Sequence, residues 1–338
     1  MNRGERVSWR RGICKMRLVK LILLAVVLAF SPVVFCHAQS GAPATNSSVP
    51  VITVPDTNSI ATAGEESGKE EGLSTAAGDI GHIGSFRITN SMLVTWIVAI
   101  GVIVFAQLAT RNMKLIPQGA QNFWEFLVEG LYNFIESILG PELTKKTFWF
   151  YLTVFIFILF TNWVGLLPGV GTIYIHTDHG PQALFRGGNA DLNMTFAMAA
   201  IFMVLWLIWA LGSNGIWGFV KHLFAPKGEN KGFIKYLMIV IFFGVGFLEV
   251  ISIAFRPVSL SFRLFGNVFA GENLLEAMSN VIQHPAWVKT AMGIIIPIPF
   301  YFLEILVGLV QAFVFMLLTV VYTALICQHD ESHAKEHH

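Results

Sequence analysis

The feature of this sequence that most constrains its fold is a pair of long apolar stretches near the C-terminus, residues 236–280 and 290–327. At 1.5 Å per residue they would form helices of roughly 65 and 55 Å, whereas the hydrocarbon core of a bilayer is about 30 Å thick. We therefore expect two long helices that tilt steeply or kink, with Pro257, Pro297 and Pro299 as the kink points.

Composition indicates lipid as the solvent. The chain is 54% hydrophobic and 13% charged, against about 25% charged residues in a soluble domain. Its net charge of +1 provides no basic surface for nucleic acid. Cys14, Cys36 and Cys327 lie too far apart to form a metal-ligand motif, and we expect neither a metal nor a cofactor. The sequence contains no Gly-x-x-x-x-Gly-Lys phosphate loop, so we expect no catalytic chemistry from this chain by itself.

The two ends of the chain read as segments outside the membrane domain. Basic residues, an apolar run and small residues at Cys36 and Ala38 predict a signal peptide over 1–38, with an uncleaved anchor as the alternative and Met16 as an alternative start. Residues 39–90 are rich in Ser, Thr and Gly, which predicts a flexible, non-cytoplasmic segment. Residues 329–338 are interpreted as a solvated, His-rich cytoplasmic tail, with metal binding as the alternative.

Between these segments, residues 91–328 read as an all-α membrane domain with about five transmembrane helices. Three spans are predicted before the two long ones, at 92–110, 148–175 and 192–212. Residues 123–138 carry apolar and acidic side chains on opposite faces and predict an amphipathic surface helix, docked on lipid or on protein. Basic residues follow the first and third spans, which predicts an external N-terminus and a cytoplasmic C-terminus.

Charged residues interrupt the long C-terminal stretches. An Arg at the bilayer centre costs roughly 2.5–3.5 kcal/mol on insertion scales, and Arg cannot lose its proton to avoid that cost. Arg263 lies in the middle of an apolar stretch, so we expect it to be a functional charge inside the membrane. Spacings of three and four residues place it in one polar stripe, which also contains Glu249, Ser252, Arg256, Ser259 and Asn267. Arg256 alone could instead extend to the headgroups.

A second set of polar residues points to an interhelical site. Glu272 follows Arg263 by nine residues, which places it on the opposite side of an ideal helix, toward the last helix. On that last helix, one face carries Glu304, Gln311 and Tyr322. We therefore expect Glu272 to meet the polar face of the last helix.

Several motifs resemble the signature of subunit a of the F-type ATP synthase. The two most specific are RPVSLSFRLFGNVFAGE at 256–272 and LVQAFVFMLLTVVY at 309–322. The sequences FIFILFTNWVGLLPG at 155–169 and ADLN at 190–193 are also similar to that family. The resemblance covers roughly residues 85–328 and implies a proton-translocating subunit of the bacterial inner membrane.

The resemblance also implies residue roles and partners. Arg263 matches the arginine that faces the carboxylates of the rotating c-subunit ring. Glu272, Asn267 and Gln311 match the half-channel that is open to the outside, and Glu249 matches the cytoplasmic one. The implied partners are the c-ring, the subunit b stalk, the remaining ATP synthase subunits and membrane lipid. The secondary candidates are Arg256, Ser259 and Tyr322.

One residue departs from the family pattern. Many bacterial relatives pair the glutamate at position 272 with a histidine where this chain has Glu304. Two close carboxylates at low dielectric do not both ionise cheaply, so we predict that Glu272 and Glu304 share a proton.

Two other functions fit a membrane protein with internal charges. A secondary transporter would bind substrate at those charges between inverted repeats, but the sequence has no visible internal repeat. A purely structural membrane scaffold would tolerate neutral residues at Arg263 and Glu272.

Overall fold

The structure, a computed structural model, describes residues 77–83, 86–111, 114, 118–171, 173–177, 180–224, 233–281 and 286–327. The predicted signal peptide, the alternative start at Met16, most of the segment 39–90 and the tail 329–338 lie outside the described residues.

The described chain is mostly helical, with short strands at one end of the helices. Two strands, β1 (Asp79–Ile83) and β2 (Phe86–Thr89), precede α1 (Asn90–Arg111), α2 (Ala120–Leu139) and α3 (Pro141–Gly165). Three strands follow, β3 (Pro168–Gly171), β4 (Tyr174–Thr177) and β5 (Gly180–Ala183), and then a 3-10 turn at Gly188–Ala190. The remaining helices are α4 (Leu192–Phe224), α5 (Phe233–Ser279), α6 (Ala286–Ile295) and α7 (Ile298–Cys327).

The last part of the segment that was predicted to be flexible is ordered. β1 and β2 pair antiparallel, and the side chain of Asn90 joins the pair to the rest of the fold. Its carbonyl accepts from the Gly78 N–H at 3.1 Å, and its amide donates to the Ala183 carbonyl at 3.1 Å. Long-range bonds of this kind leave no trace in local composition, so composition did not predict the strands β1 and β2.

The second predicted span, 148–175, is displaced toward the N-terminus. α3 begins at Pro141, where the missing N–H of proline costs nothing in the first turn. It ends at Gly165, and strand β3 then begins at Pro168 and ends at Gly171, whose φ is 80°. Proline disfavours the helical conformation in the residue before it. Hydropathy alone did not indicate the end of α3, because Ile173 and Ile175 continue the apolar run. Ile175 lies in β4, and Ile173 directly precedes that strand.

Breaks in the other long apolar segments lie close to glycine and proline. α4 contains a non-helical residue, Gly215, with φ of 67° and ψ of 169°. The last predicted helix is divided into α6 and α7 around Ile296 and Pro297, which confirms the proline break there. Pro257, in contrast, lies inside the continuous helix α5.

The helices form one bundle in which the strands and the 3-10 turn lie at one end. We call this the strand end; it contains the start of α1, the end of α3, the start of α4 and the end of α5. The 3-10 turn contacts all four of these helices. At the opposite end, the Asn214 amide of α4 donates to the Ile326 carbonyl of α7 at 2.8 Å.

The amphipathic helix α2 packs on α3 and α7. Its buried apolar residues are Trp124, Leu131, Ile135 and Leu139, while Phe126 remains 77% exposed. Of the apolar face expected from the sequence, only Leu131 is fully buried, and Phe123 is exposed. Placement of α2 along a membrane surface stays a prediction.

Among the described residues, five helical segments are long and apolar enough to cross a membrane. Helix α5 has 47 residues and, at 1.5 Å per residue, is about 70 Å long. It must therefore tilt within a hydrocarbon core of about 30 Å, or extend beyond it.

A close approach between α4 and α5 depends on Gly246. A Cβ at this position would lie 2.5 Å from the Leu223 carbonyl oxygen and 2.6 Å from the Phe224 ring. Because a backbone carbonyl cannot move aside cheaply, we expect Gly246→Ala to destabilise the protein by about 1–3 kcal/mol. Unfolding of the purified protein in detergent, followed by circular dichroism, measures this effect.

Gly244 offers a matched control on the same helix. A Cβ there has open space around it, and alanine is favoured over glycine in helices by about 1 kcal/mol. Gly244→Ala is therefore expected to be neutral or slightly stabilising. Equal stability of the two variants would contradict the proposed close packing at Gly246.

Candidate functional site

The predicted site residues lie along the antiparallel pair formed by α5 and α7. Residues that come later along α5 contact residues that come earlier along α7: Arg256 meets Tyr322, Asn267 meets Gln311, and Gly271 meets Glu304. The sequence prediction that Glu304, Gln311 and Tyr322 share one face of the last helix is confirmed by these contacts.

Arg263 lies on the surface of the chain. Its side chain is exposed, as are Ser252, Ser259 and Asn267 of the predicted stripe. Within the described residues, no hydrogen bond or ion pair joins Arg263 to another side chain. A cation at mid-length of an apolar helix therefore faces outward and is available to a partner.

Arg256 belongs to the predicted stripe by spacing, but its side chain packs inward. Its Nη2 donates to Glu249 Oε1 at 2.9 Å, and only 12% of its side chain is exposed, against 46% for Glu249. The guanidinium carbon lies 4.5 Å from the ring centroid of Tyr322 and 5.5 Å from that of Trp206. Arg256 is thus held by a carboxylate and two rings, so it does not extend to the headgroups as an unpaired charge.

Asn267 connects the exposed stripe to α7. Its amide donates to Gln311 Oε1 at 2.8 Å, and Gln311 is buried. The Nε2 atom of Gln311 is buried as well and makes no hydrogen bond with the described part of the chain. An amide donor next to a cavity can bind a water molecule or a proton carrier.

Glu272 and Glu304 line the same small cavity, as the sequence predicted from their helical faces. The cavity measures about 20 Å³, which is room for about one water molecule. Its polar lining consists of Asn162, Asn267, Glu272, Glu304 and Gln311. The carboxylate of Glu304 lies directly against Gly271, where a Cβ would occupy the same space. A side chain at position 271 would therefore displace this carboxylate.

A loop residue that the sequence reasoning missed adds a positive charge beside Glu272. Arg186, in the loop before the 3-10 turn, is only 5% exposed. Its guanidinium interacts electrostatically with the carboxylate of Glu272, and the N–H of Gly187 donates a hydrogen bond to that carboxylate. A Cβ on Gly187 would collide with Glu272 Oε1, so the loop can come this close only with glycine there.

Buried polar contacts fix that loop to three helices. Asn189 donates to Asn162 Oδ1 at 2.7 Å, and Asn162 donates in turn to the Gly308 carbonyl at 3.1 Å. Ser91 donates to Asp191 Oδ2 at 2.7 Å. Asp191 also caps α4, because its Oδ1 accepts from the Asn193 N–H at 2.9 Å. The loop is therefore held in place against Asn162, which lines the cavity.

The sequence pattern around Arg186 was only a weak indication of a special position. It is a single cation between Phe185 and the pair Gly187-Gly188, close to the start of a predicted span. Glycine pairs of this kind permit close backbone approach.

No group of three or more potential metal ligands is found among the described residues.

Comparison with known proteins adds independent information. The family model for the ATP synthase A chain matches residues 92–324, a range that contains every candidate residue above. The match therefore includes α5, α7 and the loop that carries Arg186.

Individual relatives agree with this match. ATP synthase subunit a of Moorella thermoacetica is 31% identical over 246 residues, which covers 73% of this chain and 94% of that protein. ATP synthase subunit a 1 of Pelobacter propionicus is 33% identical over 69% of this chain and 85% of its own length. ATP synthase subunit a of Trichlorobacter lovleyi is 33% identical over 74% of this chain and 92% of its own length.

Proposed function

We propose, because this chain belongs to the ATP synthase subunit a family, that it provides two offset half-channels by which protons reach and leave the carboxylates of a c-subunit ring. As a member, it is a membrane subunit of the proton-translocating sector and a multi-pass protein of the bacterial inner membrane. It acts together with the other ATP synthase subunits.

The observation that carries the proposal is the separation of polar groups along α5. Glu249 and Glu272 are about 34 Å apart along the helix axis at 1.5 Å per residue, which is close to the thickness of a hydrocarbon core. Arg263 lies between them on the exposed face. Two carboxylates at opposite depths, separated by a fixed cation, are what two offset half-channels require.

The proposed orientation follows from exposed basic residues. Arg111, Lys145, Lys146 and Lys221 are exposed at the end opposite the strands. The positive-inside bias then supports a cytoplasmic location for that end, for Glu249 and for the C-terminus, and an external location for the strand end and the N-terminus.

In this orientation, protons from outside enter at Glu304 and Glu272, with Asn267 and Gln311 lining the same route. They pass to a ring carboxylate, which can turn through lipid once it is neutral, because an unpaired buried ion is prohibitively costly. Release follows near Glu249 on the cytoplasmic side. Each proton that crosses 100 mV supplies about 2.3 kcal/mol, and this work drives rotation and ATP synthesis on other subunits.

Arg263 has a different role from the carboxylates. Its positive charge favours the ionised form of a ring carboxylate that passes in front of it, and it cannot lose a proton under ordinary conditions. It therefore separates the two half-channels and does not carry protons. Subunit b, the proposed stalk partner, would hold this chain against the turning ring.

Accessibility of introduced thiols tests the two half-channels. The cavity at Glu272 has room for about one water molecule, so silver ions, which are small and bind thiolates, suit the experiment. In a background without native cysteines, Val268→Cys lies at the outer cavity, and Ser252→Cys lies close in sequence to Glu249. Pumping by inverted vesicles is measured with silver ions either outside or enclosed.

We expect external silver, on the cytoplasmic face, to inhibit the Ser252→Cys protein, and enclosed silver to inhibit the Val268→Cys protein. Ile100→Cys on the exposed apolar face of α1 is the control, expected to respond to neither. Inhibition of both cysteine variants from the same face would rule out two offset half-channels.

A further inference from the structure

The pair Glu272 and Glu304 would carry two negative charges if both carboxylates were ionised, and neither residue supplies a counter-charge. Both side chains line one small cavity, and the carboxylate of Glu304 lies against Gly271, the residue next to Glu272. Two ionised carboxylates at such a place repel each other and lose hydration. A third charged group is needed if one of them is to remain ionised.

Arg186 is positioned to be that group. It comes from the loop before the 3-10 turn and is buried next to Glu272. The charged groups that face Glu272 from neighbouring elements, within the described ranges, are Arg186 from the loop and Glu304 from α7. On α5 itself, Glu276 lies one turn further along and is exposed.

The loop holds the cation in place from both sides. On one side, the N–H of Gly171 in β3 donates to the Phe185 carbonyl at 2.9 Å, which fixes the residue before Arg186. On the other side, Gly188 packs so closely on Thr95 and Thr161 that a Cβ would lie 2.7 and 2.8 Å from their side chains. These contacts hold the backbone at Arg186 close to Glu272, and burial restricts the movement of its side chain.

We propose that Arg186 is a positioning residue for proton uptake, which balances the charge of the Glu272–Glu304 pair so that the pair holds one shared proton. This proposal rests on the function proposed above. Together with the Gly187 N–H, the guanidinium fixes the Glu272 carboxylate. One cation, two carboxylates and one proton then make a neutral unit in the membrane.

The proposal explains how this chain functions with Glu304. A histidine at that position would itself supply positive charge beside Glu272. Here the positive charge beside Glu272 comes from Arg186, in the loop before the 3-10 turn. Without it, neutrality requires a second proton on the pair, and a doubly protonated pair cannot accept the next proton from outside.

Charge substitution in the assembled enzyme tests this. We expect Arg186→Gln to reduce ATP-driven acidification of vesicles at least about tenfold, because the neutral amide keeps polarity but not charge. Arg186→Lys restores charge and is expected to retain most of the pumping. The double variant Arg186→Gln/Glu304→His places a cation on the other side of Glu272 and is expected to recover pumping. Lys289→Gln, which removes an exposed cation from α6 at the same end, is the control.

A merely structural Arg186 would not be replaced by a histidine on another helix. Wild-type pumping by Arg186→Gln, or failure of either the Arg186→Lys or the double variant, would overturn the proposal. If Arg186→Gln does not assemble, the other two variants decide: pumping by both supports the proposal, and loss in either contradicts it.

A parallel Glu272→Gln arm separates this proposal from the function on which it rests. Normal pumping by Glu272→Gln would remove the proposed role of the site altogether. Loss of pumping by Glu272→Gln with normal pumping by Arg186→Gln would remove only the role of Arg186.

Discussion

Vesicles that contain the assembled enzyme with Arg263→Ala are expected to show no ATP-driven acidification. Without the guanidinium, a ring carboxylate that passes α5 has no counter-charge and keeps its proton. The cost of a single charge at the bilayer centre, roughly 2.5–3.5 kcal/mol, corresponds to a loss of about a hundredfold at 1.4 kcal/mol per decade. Quenching of a pH-sensitive dye after ATP addition measures the effect.

Arg111→Ala is the matched control for that experiment. Arg111 is also exposed, but it ends α1 at the far end of the bundle, and its loss is expected to leave pumping intact. Subunit content must be compared in both variants so that an assembly defect is recognised. Normal pumping by assembled Arg263→Ala enzyme would contradict the proposed role.

The second large effect is expected from Glu272→Gln. The amide keeps the shape and most hydrogen bonds of the carboxylate, including acceptance from the Gly187 N–H, but it cannot take up and release a proton. We therefore expect both ATP-driven pumping and ATP synthesis under an imposed proton gradient to fall at least about tenfold, since general acid–base groups contribute about 10²–10⁴-fold to proton transfer. Rates of acidification and of ATP formation measure the change.

The same helix provides the control for Glu272. Glu276→Gln removes an exposed carboxylate one turn further along α5, outside the cavity, and we expect near-normal rates. If the two variants lost activity equally, the effect would reflect the charge of this helix end and not the cavity.

Much of the pairing between α5 and α7 could be predicted from spacing alone. Glu304, Gln311 and Tyr322 recur near multiples of 3.6 residues, so one face of α7 had to carry them. The nine-residue interval from Arg263 to Glu272 correctly predicted that these two side chains point to different sides. Helical periodicity is a local property, and a sequence reports it well.

Spacing did not predict the contacts of the Arg256 guanidinium, because the side chain of arginine is long. Its Cα lies on the stripe with Arg263, yet its long side chain reaches Glu249 and the rings of Tyr322 and Trp206. Periodicity fixes the direction of a Cβ and not the position of a guanidinium several bonds away. Trp206 lies on α4, so its contribution is a property of packing between helices.

The loop between α3 and α4 was the least predictable part of the site. Arg186 and Asn189 interact with Glu272 and Asn162, which are distant in the sequence. Their burial depends on how the 3-10 turn fits between four helices. Composition alone indicated no role for these residues, because polar residues and glycines are typical of exposed turns as well.

The most direct test of the account is a measurement of passive proton leak with rotation stopped. Vesicles with the intact enzyme are treated with an inhibitor of its catalytic sector, and decay of an imposed pH gradient is followed. If Arg263 separates two half-channels, the inhibited Arg263→Ala enzyme is expected to leak protons, and a second change, Glu272→Gln, to close that leak. If the pH gradient decayed no faster with the inhibited Arg263→Ala enzyme than with the inhibited wild type, this result would contradict the claim that Arg263 separates the two half-channels.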